Sequence, residues 1–140
     1  MKKTLLLLTA LCFIIGAQAQ KTYELSSPNG RLKTTITVGD QLTYDITLNG
    51  QQVLAPSALS MKLTTGEEWG VKPRLANAKR EKTMHRNIES PFYRSGTIHD
   101  MFNAMTLNFK GNWSVEFRAY NDGIAYRFST PRKGEYQIES

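Results

Sequence analysis

The strongest constraint on the fold is an alternation of apolar and polar residues on both sides of a short turn. Residues 115–128 read VEFRAYNDGIAYRF. Val115, Phe117 and Ala119 occupy every second position, which is the period of a half-buried strand, and the alternation resumes after residues 121–123. The Asn-Asp-Gly sequence at 121–123 tolerates the positive φ angles of a tight reversal. The stretch therefore predicts a β-hairpin.

The same pattern recurs earlier in the chain. Alternating segments at 22–25, 31–38 and 42–48 are separated by Ser-Pro-Asn-Gly and Gly-Asp turns, and Asn49-Gly50 leads into a short strand at 51–54. Strands joined by such short turns predict an antiparallel meander. We expect Ala55-Pro-Ser57 to break the run.

Further strand signals occur at 59–63, 101–109 and 135–138, whereas residues 65–93 show no clean period. That segment is rich in charge and is predicted to be a long surface excursion, with a frayed strand near Val71 or Ile88. No convincing helical period follows residue 19. The fold class is therefore all-β, an antiparallel sandwich or barrel. Because Ser140 falls while a strand is beginning, we expect an incomplete sandwich with unpaired edges that favour aggregation.

Residues 1–19 have the pattern of a bacterial secretory signal peptide. Lys2 and Lys3 precede an apolar run at 5–16, and Ala-Gln-Ala at 17–19 forms a cleavage site before Gln20. The run is short for a membrane span, so an uncleaved anchor is the less favoured alternative. The chain's single cysteine lies within residues 1–19, so the processed chain contains none. Disulfides, thiolate metal sites and a cysteine nucleophile are thereby excluded.

Removal of Lys2 and Lys3 lowers the formal charge of the chain from +6 to +4. The remaining basic residues concentrate between 72 and 86, in a polar segment that has no stacking aromatic residues. Nucleic-acid-binding surfaces usually interleave the two residue types, so we expect no nucleic-acid partner. Contact with an anionic surface or with a neighbouring acidic domain fits this segment better.

Candidate catalytic and metal-binding residues are few. His85 and His99 lie outside any zinc-ligand spacing, and the chain has no Gly-x-Ser-x-Gly elbow. An oxygen-rich calcium site could draw only on Glu67, Glu68 and Glu139. None of these residues is assigned as a catalytic group or a metal ligand.

Aromatic side chains are more suggestive, because a flat ring can stack on a sugar. Trp113, Phe117 and Phe128 fall on alternating strand positions and are assigned to the core. Trp69 lies between Gly66 and Gly70 and is predicted to be the best exposed candidate for sugar contact. The aromatic residues considered for such contact are Trp69, Phe92, Tyr93, Trp113, Tyr120 and Tyr126.

An ordered set of segments resembles the N-terminal domain of glycoside hydrolase family 97. The matching segments are Ser-Pro-Asn-Gly-Arg-Leu at 27–32, Leu-Thr-Tyr-Asp-Ile-Thr-Leu-Asn-Gly at 42–50, Val-Leu-Ala-Pro-Ser at 53–57, Pro-Phe-Tyr at 91–93, and the hairpin from Phe117 to Phe128. The resemblance covers essentially all of residues 20–140.

The resemblance implies an exported α-glucosidase or α-galactosidase of a Gram-negative bacterium, working in the periplasm on oligosaccharides or polysaccharides. It implies that residues 20–140 form part of a galactose-mutarotase-like super-sandwich that packs on a catalytic (β/α)8 barrel. It also implies a calcium ion near the active site. One N-domain ligand of that ion is expected close to Glu139, just past Ser140, and it is not assigned in this chain.

Three functional hypotheses remain open at this stage. The first is a structural, substrate-facing N-terminal part of such a glycosidase, without catalysis of its own. The second is a free-standing carbohydrate-binding module that uses exposed aromatic residues. The third is a small mutarotase that uses His85, His99 and a glutamate as acid and base.

Overall fold

The computed structural model describes residues 20–90 and 96–140. Its secondary structure within those residues consists of β-strands, as the sequence predicts. The strands are β1 (Lys21–Ser26), β2 (Leu32–Val38), β3 (Leu42–Leu48), β4 (Gln51–Ala58), β5 (Met61–Lys62), β6 (Glu68–Trp69), β7 (Leu75–Glu89), β8 (Thr97–Phe109), β9 (Trp113–Ala119) and β10 (Ile124–Ser129).

The strands form two four-stranded antiparallel sheets and one two-stranded sheet. One large sheet has the order β1-β2-β3-β4, the other has the order β10-β9-β8-β7, and β5 pairs with β6. Strands that are adjacent in sequence are therefore adjacent in space, so each large sheet is a meander. The prediction of an all-β antiparallel sandwich is confirmed.

The hairpin at 115–128 has the predicted form. Tyr126 of β10 lies opposite Phe117 of β9, and Phe128 lies opposite Val115. The turn is closed by a 2.8 Å hydrogen bond from the Tyr120 amide to the Gly123 carbonyl. The strand alternation is as predicted, but none of Asn121, Asp122 and Gly123 has the positive φ that the turn sequence suggested.

The core lies between the two large sheets. Alternate side chains of β2 and β9 are buried, and Ile36, Val115 and Phe117 are fully inaccessible. Trp113 is also buried, and Phe128 packs against this cluster while partly exposed. The predicted core positions are thus confirmed. Phe117 also packs at 5.9 Å between ring centres on Tyr44 of the facing sheet.

The expectation that residues 55–57 break the strand is wrong. They lie within β4, which runs from Gln51 to Ala58 and forms one edge of its sheet. Proline is compatible with an edge strand because its missing N–H can fall on the unpaired side. The pairing of β4 with β3 is irregular around Ile46, which accommodates the break in the alternation.

The excursion predicted for residues 65–93 is wrong over much of its length, because β7 spans fifteen of its residues. The strand expected near Ile88 falls within β7, where Ile88 pairs with Ile98. Residues 97–102 of β8 pair with β7 alone, since β9 begins its pairing at Asn103. This part of the hairpin is a ribbon whose side chains are mostly exposed, so no apolar period is required of it. A bulge between Glu81 and Met84 interrupts the remaining pattern.

Two weaker strand predictions also changed. Val71 makes an isolated bridge with Gln41, and Ile138 makes one with Leu63. The predicted strand at 135–138 is therefore reduced to an isolated bridge, with further backbone hydrogen bonds between residues 137–140 and residues 62–64. A 2.7 Å hydrogen bond from the Lys62 amide to the Ser140 carbonyl extends the contact.

Asn103 ties the bulge of β7 to the opposite sheet. Its Oδ1 accepts a hydrogen bond from the Thr83 amide, and its Nδ2 donates one of 2.7 Å to the Ser26 carbonyl. Thr83 has a φ of 50°, so this contact supports a strained backbone position.

Asn103→Ala should lower the free energy of unfolding by about 1–3 kcal/mol, because two backbone groups lose their partner. Urea denaturation would measure the loss. The matched control is Asn108→Ala, which removes an exposed contact between Nδ2 and the Asn77 Oδ1. A control loss as large as that of Asn103→Ala would contradict the bridging role.

The predicted signal peptide at 1–19 lies outside the described residues, as do Phe92 and Tyr93. Across residues 20–90 and 96–140, no helix is long and apolar enough to span a membrane.

Candidate functional site

The candidate site predicted from the sequence centres on Trp69, which the structure places in the core. Trp69 lies on β6 opposite Met61 of β5 and is 5% exposed. Its ring is parallel to that of Trp113 at 5.8 Å between ring centres, and Trp113 stacks in turn on Phe109 at 4.1 Å. The prediction that Trp69 is exposed is therefore wrong. The flanking glycines indicated a loop, but β5 and β6 fold inward onto the aromatic core.

The Trp69 side chain is hydrogen-bonded to an ion pair between Glu67 and Arg132. These three residues are called here the polar clasp. The Trp69 Nε1 donates a 3.2 Å hydrogen bond to Glu67 Oε2. Arg132 donates two bonds to the same carboxylate, at 2.8 and 2.6 Å. Its guanidinium also lies 5.8 Å from the Trp69 ring centre and 5.5 Å from that of Tyr136. The paired geometry is the strong bidentate form of an Arg–carboxylate contact.

The clasp keeps the Glu67 carboxylate ionised. The hydrogen bonds from Arg132, and then the one from Trp69, lower the pKa of Glu67 from 4.5 to about 2. At neutral pH this group carries no proton, so it cannot serve as a general acid. In this arrangement the Glu67 carboxylate binds Arg132 and so holds residue 132 against β6.

Arg132→Gln should raise the pKa of Glu67 from about 2 back toward 4.5, because the largest cause of the depression is removed. A carboxyl pKa that is lowered on folding adds stability above the unfolded value, and this stability is lost as the pH falls through the folded value. The clasp should therefore weaken between about pH 4.5 and pH 2. Titration of the Glu67 side-chain carbon by NMR would measure both pKa values. An unchanged pKa in the variant would contradict the clasp.

A cleft of about 420 Å³ opens beside the clasp. It is lined by Glu67, Glu68, Trp69, Gly111, Asn112, Trp113 and Arg132. The tryptophan rings are buried and stacked on each other. The cleft therefore presents polar edges, and it lacks the open aromatic platform that the sequence analysis expected.

The comparisons with known proteins are decisive for the family. The model of the glycosyl-hydrolase 97 N-terminal domain matches residues 25–140, most of the chain. This chain belongs to glycoside hydrolase family 97. A retaining α-galactosidase of Bacteroides thetaiotaomicron is 52% identical to it over 137 residues. That alignment covers 98% of this chain and 20% of the relative, so the chain spans about a fifth of its relative's length.

Solved structures agree on the fold of this family 97 chain. A family 97 enzyme from Pseudoalteromonas sp. strain K8, solved in complex with panose, superposes with a TM-score of 0.70 at 21% identity. The match covers 83% of this chain and 19% of that enzyme. A β-arabinopyranosidase matches with a TM-score of 0.68 at 18% identity, covering 84% of this chain and 20% of its own. These two likenesses concern the fold alone.

The two histidines do not form an acid–base pair with a carboxylate. His85 lies on β7 and His99 on β8, on the exposed ribbon of the family 97 domain. The Nδ1 of His99 is 2.9 Å from the Asn87 Oδ1. Within the described residues, neither imidazole contacts a carboxylate. The mutarotase hypothesis therefore gains no geometric support.

Two of the three candidate calcium ligands, Glu67 and Glu139, are engaged by cations. Glu67 binds Arg132, and Glu139 binds Lys62 with 3.0 Å between Nζ and Oε2. Among the residues the structure describes, no three His, Cys, Asp or Glu side chains are grouped to hold a metal ion. Glu67, Glu68 and Glu139 therefore do not come together as an oxygen-rich cluster within the described residues.

Sequence reasoning missed a second ionic cluster, on the outer face of β9 and β10. Glu116 accepts hydrogen bonds from Arg118 and from Arg127, the latter at 2.8 Å. Burial raises the pKa of Glu116, but these hydrogen bonds outweigh it and hold the pKa below its usual value. The Arg118 guanidinium also lies 4.5 Å from the ring centre of Phe102, which is buried on this face. The available signal was the strand alternation, which places Glu116 and Arg118 on one face.

Proposed function

We propose that this chain is the non-catalytic N-terminal sandwich of an exported retaining α-galactosidase. In this role it supports a catalytic barrel that belongs to a longer protein. The observation that carries the proposal is the 52% identity to a retaining α-galactosidase across 98% of the chain. The α-galactosidase assignment is preferred over α-glucosidase because that relative is much more similar than the solved structures.

The ion pairing of the glutamate side chains agrees with a non-catalytic role for this chain. A retaining glycosidase needs two carboxyl groups about 5–5.5 Å apart, one as nucleophile and one as acid and base. The ion-paired glutamates described above, Glu67, Glu116 and Glu139, are each bound by arginine or lysine. We assign the catalytic carboxylates, and the ligands of the calcium ion, to the remainder of the longer protein. The substrate is an α-galactoside of an oligosaccharide or polysaccharide.

A chimera tests the proposal directly. The matching segment of the Bacteroides thetaiotaomicron relative would be replaced by residues 20–140 of this chain. We expect the chimera to hydrolyse a chromogenic α-galactoside, and we expect the relative without the segment, and this chain alone, to be inactive. A relative that keeps full activity after loss of the segment would overturn the supporting role. Hydrolysis by this chain alone would overturn the non-catalytic assignment.

The binding-module hypothesis makes a separate prediction. Trp69 and Trp113 are buried, and Tyr126, at 44% exposed, packs edge-on against Tyr44 at 5.6 Å. These aromatic faces are used within the protein, so we expect no binding of galactose or melibiose to the isolated chain in titration calorimetry. Measurable binding would favour a free-standing module.

We propose that the chain is exported to the periplasm with removal of residues 1–19. The basic start, the apolar run and the Ala-Gln-Ala site support this proposal. Intact-mass analysis of the protein from a periplasmic extract should give a chain that begins at Gln20. A product that retains residues 1–19 would contradict the cleavage.

A further inference from the structure

The net charge of the processed chain is concentrated in one segment. Residues 20–140 contain sixteen basic and twelve acidic residues, a net charge of +4. Residues 72–89 contain six of the basic residues and two of the acidic ones, which is also a net charge of +4. The remaining ten basic and ten acidic residues cancel. The basic residues of the segment are Lys72, Arg74, Lys79, Arg80, Lys82 and Arg86.

This segment forms an edge of the sandwich. Within the described residues, β7 is the last strand of its sheet, so one side of its backbone has no neighbouring strand. All six basic side chains are exposed. Fifteen residues of strand extend about 50 Å at roughly 3.3 Å per residue. The result is a long positive ridge with a free backbone edge, called here the β7 ridge (residues 72–89).

The charge of the ridge is poorly neutralised within the chain. Lys79 pairs with Glu81 at 2.6 Å. Arg80 donates to the Glu24 carbonyl oxygen, and the Arg86 guanidinium lies 5.4 Å from the ring centre of Phe102. In the part of the chain that the structure describes, the other three cations have no carboxylate partner. The ridge therefore keeps most of its positive potential.

The basic side chains of the ridge determine which kind of strand can pair with the free edge of β7. A long exposed edge strand invites pairing with another chain, and lysine on the edge is a common defence. Two copies joined antiparallel about the strand centre would place their Lys82 side chains opposite each other, which is unfavourable. An acidic strand would meet opposite charges at the same positions and could add main-chain hydrogen bonds.

We propose that the β7 ridge docks an extended acidic polypeptide segment of a partner protein by strand addition. This interaction goes beyond the supporting role proposed above, because it uses a strand edge that is unpaired within the described residues. The backbone edge provides the hydrogen bonds, and the basic side chains provide selectivity for acidic sequence.

A peptide of about ten residues that alternates Thr with Glu is the probe, because it has strand propensity and negative charge. We expect it to bind the full chain in fluorescence anisotropy at low ionic strength and to weaken with added salt. It should also slow hydrogen exchange of the β7 amides. A peptide with Lys in place of Glu should not bind. An equally charged peptide with proline at alternate positions should bind much more weakly, because it cannot pair along the edge.

Two double variants change the net charge by the same amount, one on the β7 ridge and one outside it. Lys79→Glu with Lys82→Glu should raise the Kd of the Thr-Glu peptide about tenfold, because attraction becomes repulsion at the ridge. Arg31→Glu with Lys133→Glu, which are exposed and lie outside the ridge, should change it less than about twofold. The double variant Lys79→Gln with Lys82→Gln should give an intermediate Kd. It allows the same comparison to be made if charge reversal disturbs folding.

Three results would overturn the proposal. The first is equal weakening by the ridge variants and the control variants, which indicates non-specific attraction. The second is equal affinity for the proline-containing peptide, which excludes strand addition. The third is stronger ridge-dependent binding to vesicles with anionic lipid, or to duplex DNA, than to the Thr-Glu peptide.

Discussion

Gly70→Ala is expected to lower the free energy of unfolding by about 3 kcal/mol or more. Gly70 has a φ of +96°, and a Cβ atom added there would lie 2.0 Å from the Leu59 carbonyl oxygen and 2.9 Å from the Ser60 Cα. Both are backbone atoms, so the chain itself must move. The Gly70 carbonyl also accepts a 2.7 Å hydrogen bond from the amide of buried Leu42. Displacement at Gly70 therefore reaches the core.

Urea denaturation would measure this loss against Gly66→Ala. Gly66 has a similar φ of +87° but has open space where a Cβ would be placed. Its substitution should cost about 1–2 kcal/mol, the strain of a left-handed conformation alone. Equal losses of unfolding free energy in the two variants would contradict this prediction, because they would show that the contact between the new Cβ and the Leu59 carbonyl adds no destabilisation.

Trp69→Ala is expected to lower the free energy of unfolding by about 3–5 kcal/mol, the range for removal of a buried aromatic side chain. The substitution leaves a cavity against Trp113 and removes the Nε1 hydrogen bond to Glu67. Thermal and urea unfolding would measure it. Tyr126→Ala is the control, because Tyr126 is 44% exposed and should lose less.

The result separates two roles for Trp69. A large loss of stability supports the core position seen in the structure. A variant that folds with unchanged stability but loses affinity for a sugar would restore the sugar-contact role that the sequence suggested.

Elements held together by local interactions were predictable from the sequence. The hairpin at 115–128 and the meander of β1 to β3 follow from alternation and turn residues that lie close together in the chain. Their cross-strand partners lie at most 17 residues apart in sequence, as for Lys21 and Val38, so neighbouring sequence contains most of the information that determines them.

The strand β7 was not predictable in the same way. Its ribbon portion is exposed, so its side chains show no apolar alternation, and its bulge shifts the period. It is a strand because β8 supplies hydrogen-bond partners along its whole length. Pairing with a neighbour overrides weak local preference, which is a common reason for strand assignments to fail from sequence.

The sequence by itself determined the all-β class and the alternating core of β9, because both follow from residues that are near neighbours in the chain. It also determined the resemblance to family 97, which depends on an ordered set of segments. The position of Trp69 was decided by the tertiary structure. Glu67 and Arg132 are 65 residues apart, and the stack with Trp113 joins β6 to the other sheet. Local sequence around Gly66 and Gly70 indicates a loop. Only the packing of distant strands shows that the ring is buried beneath an ion pair.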